Sequence, residues 1–287
     1  MARGAAIGAA DLVPGVSGGT MALVLGIYPR LILALSDLTR PGLRRALAGG
    51  RFGEAWRAVD GPFLASLAVG VLLAVLSLAT ALDVLLERHA DLLYAAFFGM
   101  IAVSAWVVAL QVPRRGRALA WATVGAVLAF GVVGLAPTST PDHPLAYAAA
   151  GAIGVSALLL PGLSGAFLLL LLGKYEQVLG AVSTLDVTIL APFMAGLMVG
   201  ALAFARAVGA ALRRWPSAVL GLLSGILLGS LRRVWPWQDG DAVRSVALAP
   251  PSAADAGLAL LLAVAAGAAV VALHRASHGR GAGSSRS

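Results

Sequence analysis

The amino-acid sequence predicts an all-α polytopic membrane protein of two inverted repeats, each a re-entrant broken helical hairpin followed by three transmembrane helices. Three observations carry this. Hydrophobic residues make up 60% of the 287 positions and charged residues only 12%. The mean hydropathy of +0.91 lies far from that of an ordinary soluble domain, and the apolar runs approach the length of a bilayer span. A short string, Pro14-Gly15-Val16-Ser17-Gly18, returns 147 residues later as Pro161-Gly162-Leu163-Ser164-Gly165. Its register holds through Leu25/Leu172, Gly26/Gly173, Tyr28/Tyr175 and Ser36/Ser183. The third observation is an uneven division of arginines between alternate loops.

The first repeat covers residues 1–140 and the second 141–274, with a disordered basic tail of Arg, Gly and Ser over 275–287. The first apolar segment, 5–35, is broken at Pro14-Gly15: Pro removes a backbone donor and Gly relaxes the chain, so the pair interrupts a helix. Asp11 and Pro14 also interrupt the apolar core that a cleavable signal peptide would need. The loop 37–60 sets Leu43, Leu47, Phe52, Trp56 and Val59 among arginines, the pattern of a short helix lying on an anionic leaflet. Spans follow at 62–82, 92–110 and 118–136. The second half repeats the plan, with a segment at 147–183 broken at Pro161-Gly162 and spans at 187–211, 216–231 and 256–273. Its second element matches too: 62–70 and 192–200 share six of nine residues. Trp235 and Trp237 read as an aromatic belt at the outer interface.

Orientation decides the kind of duplication. A broken segment that enters and leaves by one face leaves three crossings per half, and the halves are inverted; one that crosses makes four, and the halves are parallel. With re-entry, sixteen basic residues fall on the cytoplasmic side and five (Arg88, Lys174, Arg232, Arg233, Arg244) outside. Crossing would move Arg206, Arg213 and Arg214 outward, against the positive-inside rule. Both termini are therefore expected in the cytoplasm. The same distribution explains the net charge of +8 without nucleic acid. With no Cys in the chain, disulfides and thiolate chemistry are excluded. His89, His143, His274 and His278 show no metal-ligand spacing, so neither metal nor cofactor is expected.

Broken backbone at membrane depth survives only where protein buries it or a wet cavity solvates it. Paired breaks in corresponding positions point to a transporter's central site. Each break starts a new half-helix with free N–H groups and a positive dipole end. Gly15, Gly18, Gly19, Gly162 and Gly165 allow close backbone approach, and Ser17, Thr20 and Ser164 add hydroxyls. The favoured ligand is therefore a phosphate or carboxylate. The alternative is that Pro14, Pro161 and these small residues only permit tight helix packing. Three roles are open to Asp11, which Leu158 replaces in the second copy: proton carrier, cap of the half-helix, or partner of an arginine. Arg30 and Lys174, beside Tyr28 and Tyr175, either meet a phosphate or snorkel to the interface. Glu176 reads as the partner of Lys174 or an interfacial charge, and with Asp11 is a candidate for proton coupling.

At these residues the chain resembles a known family. The stretch Gly8–Thr20 with Gly26-Ile27-Tyr28, the stretch Leu160–Phe167 with Leu172-Gly173-Lys174-Tyr175-Glu176, and Gly229–Trp237 are similar to the bacterial undecaprenyl-phosphate (polyprenyl-phosphate) translocases of the PopT type. Pro29-Arg30 and Ala166 depart from that pattern, where an acidic residue and a second Ser are usual. The resemblance implies a multi-pass protein of the bacterial cytoplasmic membrane, a flippase with the lipid phosphate as its partner. It implies return of that carrier from the outer to the inner leaflet for reuse in cell-wall biogenesis. A transporter or channel for a small soluble anion is the alternative that the paired breaks alone leave open. An enzyme is not expected, because phosphate chemistry wants clustered acid, base or nucleophile and the interior offers only Asp11 and hydroxyls.

Overall fold

The computed structural model describes residues 1–12, 17–110, 115–239, 247–248 and 256–282. The break at Pro14-Gly15 lies outside them. On one side of it is α1 (Ala2–Asp11) and on the other α2 (Gly18–Val24), which turns through 119° into α3 (Tyr28–Asp37). Two short helices follow, α4 (Pro41–Ala48) and α5 (Phe52–Ala58), then α6 (Gly61–Leu110), kinked at His89, and α7 (Arg115–Val133). The second half runs through α8 (Pro144–Leu159) to α9 (Gly165–Leu171), which turns through 109° into α10 (Tyr175–Thr184). It continues with α11 (Val187–Arg214), α12 (Pro216–Ser230), a 3-10 turn (Leu231–Val234) and α13 (Ala256–Ala282). Five helical stretches are long and apolar enough to cross a membrane, or up to seven if each bent pair counts as one span. Beyond the helices, Gln238 and Asp239 pair with Leu248 and Ala247 in a two-residue antiparallel ladder.

Four expectations change. The spans expected at 62–82 and 92–110 are not separated by a loop: helix continues between them and bends at His89, whose φ of −144° and ψ of 44° break the ladder at one residue. The segment after each Pro-Gly is not one returning helix but two, because Gly26 and Gly173 adopt φ of +67° and +65°, the left-handed conformation that ends a helix. Two helices rather than one occupy the loop 37–60, separated at Gly49-Gly50; Leu47, Phe52 and Trp56 are exposed, whereas Val59 is buried against the rest of the molecule. Finally, α13 runs on through Ala282 past Arg275, where composition predicted disorder. Once a helix is nucleated, each further residue adds a backbone bond, and Ala-rich sequence up to Ala276 carries it outward.

Glycines set the packing. Gly221, Gly225 and Gly229 of α12 face Ala118, Ala122 and Ala126 of α7, where any Cβ would strike a backbone carbonyl. Gly196 and Gly200 of α11 face Ala148 and Ala152 of α8; Gly4 and Gly8 of α1 face Leu67 and Val71 of α6. Gly99 of α6 faces Ala263 of α13, and Gly267 faces Val103. In lipid there is no hydrophobic drive between helices, so close backbone approach at small residues is what brings them together. In every pair the contacts advance together along both helices, so the partners run in the same direction. The repeat seen in sequence is also a repeat of contacts. Gly4 lies on Leu67 as Gly151 lies beside Leu197, and Gly70 on Ala5 as Gly200 on Ala152. The two halves interlock rather than sitting side by side.

Candidate functional site

The two copies of the duplicated string touch. Ser17 is fully buried and caps α2, its Oγ accepting from Gly19 N–H at 3.1 Å. The same hydroxyl donates across the molecule to the carbonyls of Leu158 and Leu160, at 3.0 and 3.1 Å. Thr20, also fully buried, accepts from Gly162 N–H at 2.8 Å. Gly19 lies against the 158–160 backbone so closely that a Cβ would sit 3.0 Å from the Leu159 carbonyl. Gly162 has a φ of +87°, and a Cβ there would lie 2.7 Å from Ser230 Oγ, so the position demands glycine twice over. Pro161 is buried with it; Pro14 and Gly15, its partners in sequence, are outside the described residues.

The half-helix starts differ between copies. At the first, the Asp11 carboxylate accepts from Gly18 N–H at 2.5 Å, Gly19 N–H goes to Ser17 Oγ, and Thr20 N–H to the Ser17 carbonyl. Of the three roles open to Asp11, this geometry is the cap. At the second, Leu158 stands in the place of Asp11, and Ser164 caps α9 by accepting from Phe167 N–H at 3.5 Å. Gly165 is buried at that start, and Ala166 faces outward.

The charged and aromatic candidates lie away from this junction. Arg30 is half exposed, bonded to Asp60 at 2.6 and 3.1 Å, with its guanidinium 4.2 Å over the Phe63 ring. That bond holds the Asp60 carboxyl below the usual carboxylate range. Lys174 does not snorkel. It is fully buried, and its ammonium bonds Asp142 at 2.6 Å, the Thr140 carbonyl and Gln177 Oε1 at 3.0 Å, above the Tyr147 ring. Asp142, not Glu176, is the carboxylate in ion-pair range, because the 135–143 segment doubles back over the α9–α10 corner. There Thr138 N–H donates to the Leu171 carbonyl and the Thr140 hydroxyl to Leu172. The Lys174 and Gln177 hydrogen bonds lower the Asp142 carboxyl from its ordinary value. Tyr28 is wholly buried, its hydroxyl without a hydrogen-bond partner among the described residues; Tyr175 is half-buried.

Sequence reasoning missed the part played by four residues. The carbonyls of Leu158 and Leu160 carry no side-chain signal at all. Ser230 beside Gly162 belongs to the Gly229–Trp237 stretch noted only as a family resemblance. Arg233, counted among outward-facing charges, is 5% exposed, its guanidinium 4.7 Å over the ring of Phe167 on the second half-helix. Nearby, Trp235 packs edge-on against Phe98 and Trp237.

Comparison with known proteins gives one consistent result. Residues 7–249 match the undecaprenyl phosphate translocase-like family. A polyprenyl-phosphate transporter of Vibrio cholerae is 37% identical over 238 residues, 83% of this chain and 77% of that protein. A polyprenyl-phosphate transporter of Staphylococcus aureus is 30% identical over 254 residues, 82% and 84% of the respective chains. No solved structure matches the chain.

Proposed function

Since the chain belongs to the undecaprenyl phosphate translocase-like family, a family of transporters and not of enzymes, we propose that it moves polyprenyl phosphate from the outer to the inner leaflet of the bacterial cytoplasmic membrane, returning the carrier for cell-wall synthesis. The observation that carries the reading is the junction of the two broken strings. Discontinuous backbone from both halves meets at one buried point, held by Ser17 and Thr20 against residues 158–162. Such meeting points are where transporters hold their substrates.

The phosphate head takes the place of these bonds as the tips part. Ser17 Oγ and Gly162 N–H, which bond protein partners here, turn to phosphate oxygens; the Thr20 and Ser164 hydroxyls and the backbone around Gly18, Gly19 and Gly165 complete the cradle. Asp11, an anion held at the first half-helix, keeps the head toward the second tip and is the acid, with Glu176, through which a proton gradient would act. Arg30 and Lys174, beside Tyr28 and Tyr175, meet the head only on its way in or out, since each already pairs with a carboxylate.

The repeats, 1–140 and 141–274, are inverted and each opens with a re-entrant hairpin. Parallel helix packing supports this. Helices α1 and α6 start from one side, as do α8 and α11, so the chain between each pair returns to the face it entered. The segment 90–110 runs parallel to α13, and α7 to α12; inversion requires both, whereas parallel repeats would make both antiparallel. With basic residues inward, the termini are cytoplasmic.

Leaflet-resolved flipping of polyprenyl phosphate by purified protein in liposomes, with and without a pH gradient, tests the function. Transport should compete with other polyprenyl phosphates and hardly at all with free polyprenol or inorganic phosphate. Strong competition by inorganic phosphate together with its uptake would establish a soluble-anion transporter instead.

A further inference from the structure

Beside the second tip lies a groove of about 230 Å³ walled by Gly154 and Leu158 of α8, Ala166 and Leu169 of α9, and Phe193 and Leu197 of α11. Its lining is almost wholly apolar, so it is not a seat for the phosphate. Leu158, 40% exposed, stands at its edge, and Ala166 faces outward, so the groove opens on the side of the molecule. The corresponding positions of the first half carry different side chains. Ile7 replaces Gly154 and Asp11 replaces Leu158; Ile7, Ala22, Phe63 and Leu67 are all buried, and the Ile7 side chain reaches to Gly18. Where the second copy has Gly154 and a groove, the first has a buried isoleucine against its half-helix start.

We propose that this groove is the seat of the isoprene units next to the phosphate, and that it selects a branched prenyl chain over a straight alkyl chain. The proposal rests on the lipid-phosphate reading above and places the tail relative to the head. Gly165 and Ala166 belong both to the groove and to the start of α9, so a chain in the groove has its phosphate end at the second tip. The volume equals that of roughly eight water-sized groups, room for one or two five-carbon units. In a bilayer the groove gains nothing from excluding water, since surrounding lipid is equally apolar; what it offers is shape. Methyl branches that fill a fitted apolar wall discriminate, whereas the rest of the tail, left in lipid, contributes little.

The test uses purified full-length protein in nanodiscs, with tetraprenyl phosphate and straight-chain hexadecyl phosphate as probes. The wild type should bind the prenyl compound about tenfold more tightly, the discrimination expected of one or two methyl groups in an apolar pocket. Gly154→Ile copies the isoleucine of the first half. A Cβ at 154 meets the Leu169 side chain at 3.4 Å and the Gly165 carbonyl at 3.9 Å, both ordinary contacts, so the new side chain can grow into the groove, and the preference should fall close to parity. A wild-type measurement guards against misfolding of the variant: a photoreactive group on the first isoprene should label Leu169, Phe193 or Leu197. No preference in the wild type, an undiminished preference in Gly154→Ile, or labelling confined to other helices overturns the groove while leaving the lipid-phosphate reading standing. Failure of the wild type to bind or flip any prenyl phosphate overturns both.

Discussion

The two bent segments share a string, a serine cap, a sharp bend and a left-handed glycine, yet their surroundings differ at both ends. At the tip of the first copy, Asp11 caps Gly18 and the buried Ile7 lies against it. The second has Leu158 and Gly154 in those places, and a groove. The far corners differ as well. Nothing lies within 4 Å of a Cβ placed on Gly26, while the Thr138 carbonyl lies 2.7 Å from one on Gly173, strapped down by the 135–143 segment and the Lys174–Asp142 pair. Duplication kept the backbone plan, and side chains divided the labour. The first start is capped by a carboxylate and flanked by a buried isoleucine; the second has an apolar groove beside it.

The comparison breaks most visibly if the tips are unfastened. Ser17→Ala with Thr20→Val removes the Ser17 and Thr20 hydrogen bonds that join the copies and strips Gly162 N–H and the Leu158 carbonyl of those partners, while the Leu160 carbonyl keeps the Leu163 N–H. At about 1–3 kcal/mol for each buried group left unsatisfied, the thermal midpoint of the detergent-solubilised protein should fall further than for any change below. Retention of the wild-type midpoint would mean the tips are held by packing alone.

The corner glycines isolate the strap. Gly26→Ala and Gly173→Ala impose the same left-handed penalty, about 1–2 kcal/mol. Only the second also drives a Cβ against the Thr138 carbonyl. Gly173→Ala should therefore be the more destabilising in parallel urea or thermal titrations, and equal losses would remove the strap from the account.

At the tip, Asp11→Leu gives the first copy the residue of the second. Loss of the cap should lower stability by about 1 kcal/mol, with Asp11→Asn largely sparing it because its amide oxygen still accepts from Gly18. If Asn and Leu behave alike, the cap does not hold the half-helix.

The smallest effect concerns acid. In the folded protein the Asp142 and Asp60 carboxyls lie below their ordinary value, so each ion pair's contribution is complete above the normal carboxylate range and disappears as pH falls through the folded values. Melting curves from pH 7 downward should therefore converge for wild type and Asp142→Asn as acid removes the charge. Both pairs are solvent-accessible on the carboxylate side, which keeps the difference modest.

Of the charged residues, the sequence ranked Arg30 and Lys174 as equivalents because each neighbours a matching tyrosine. They are not equivalent. In register, Lys174 answers to Ile27 and Gln177 to Arg30, so the second corner buries a cation where the first has an isoleucine. Hydropathy could not foresee that burial, because Asp142 and Thr140, which make it tolerable, lie more than thirty residues away in the chain. The burial of Arg233 was not legible for the same reason: its neighbour Phe167 is remote in sequence.

What the sequence by itself determined is local or repetitive. Apolar length marks the spans, Pro and Gly mark the breaks, and a repeated string reveals the duplication, because each depends on residues adjacent in the chain or on comparison of the chain with itself. Tertiary structure alone decided that the two strings clasp each other through Ser17 and Thr20, that Asp11 serves as a cap, and that one flank holds a buried isoleucine while the other has a groove. Those outcomes depend on which carbonyl, carboxylate or methyl group arrives from a helix more than a hundred residues distant or across a turn, and on glycine seams that set how closely two backbones approach. No window of sequence contains both sides of such a contact.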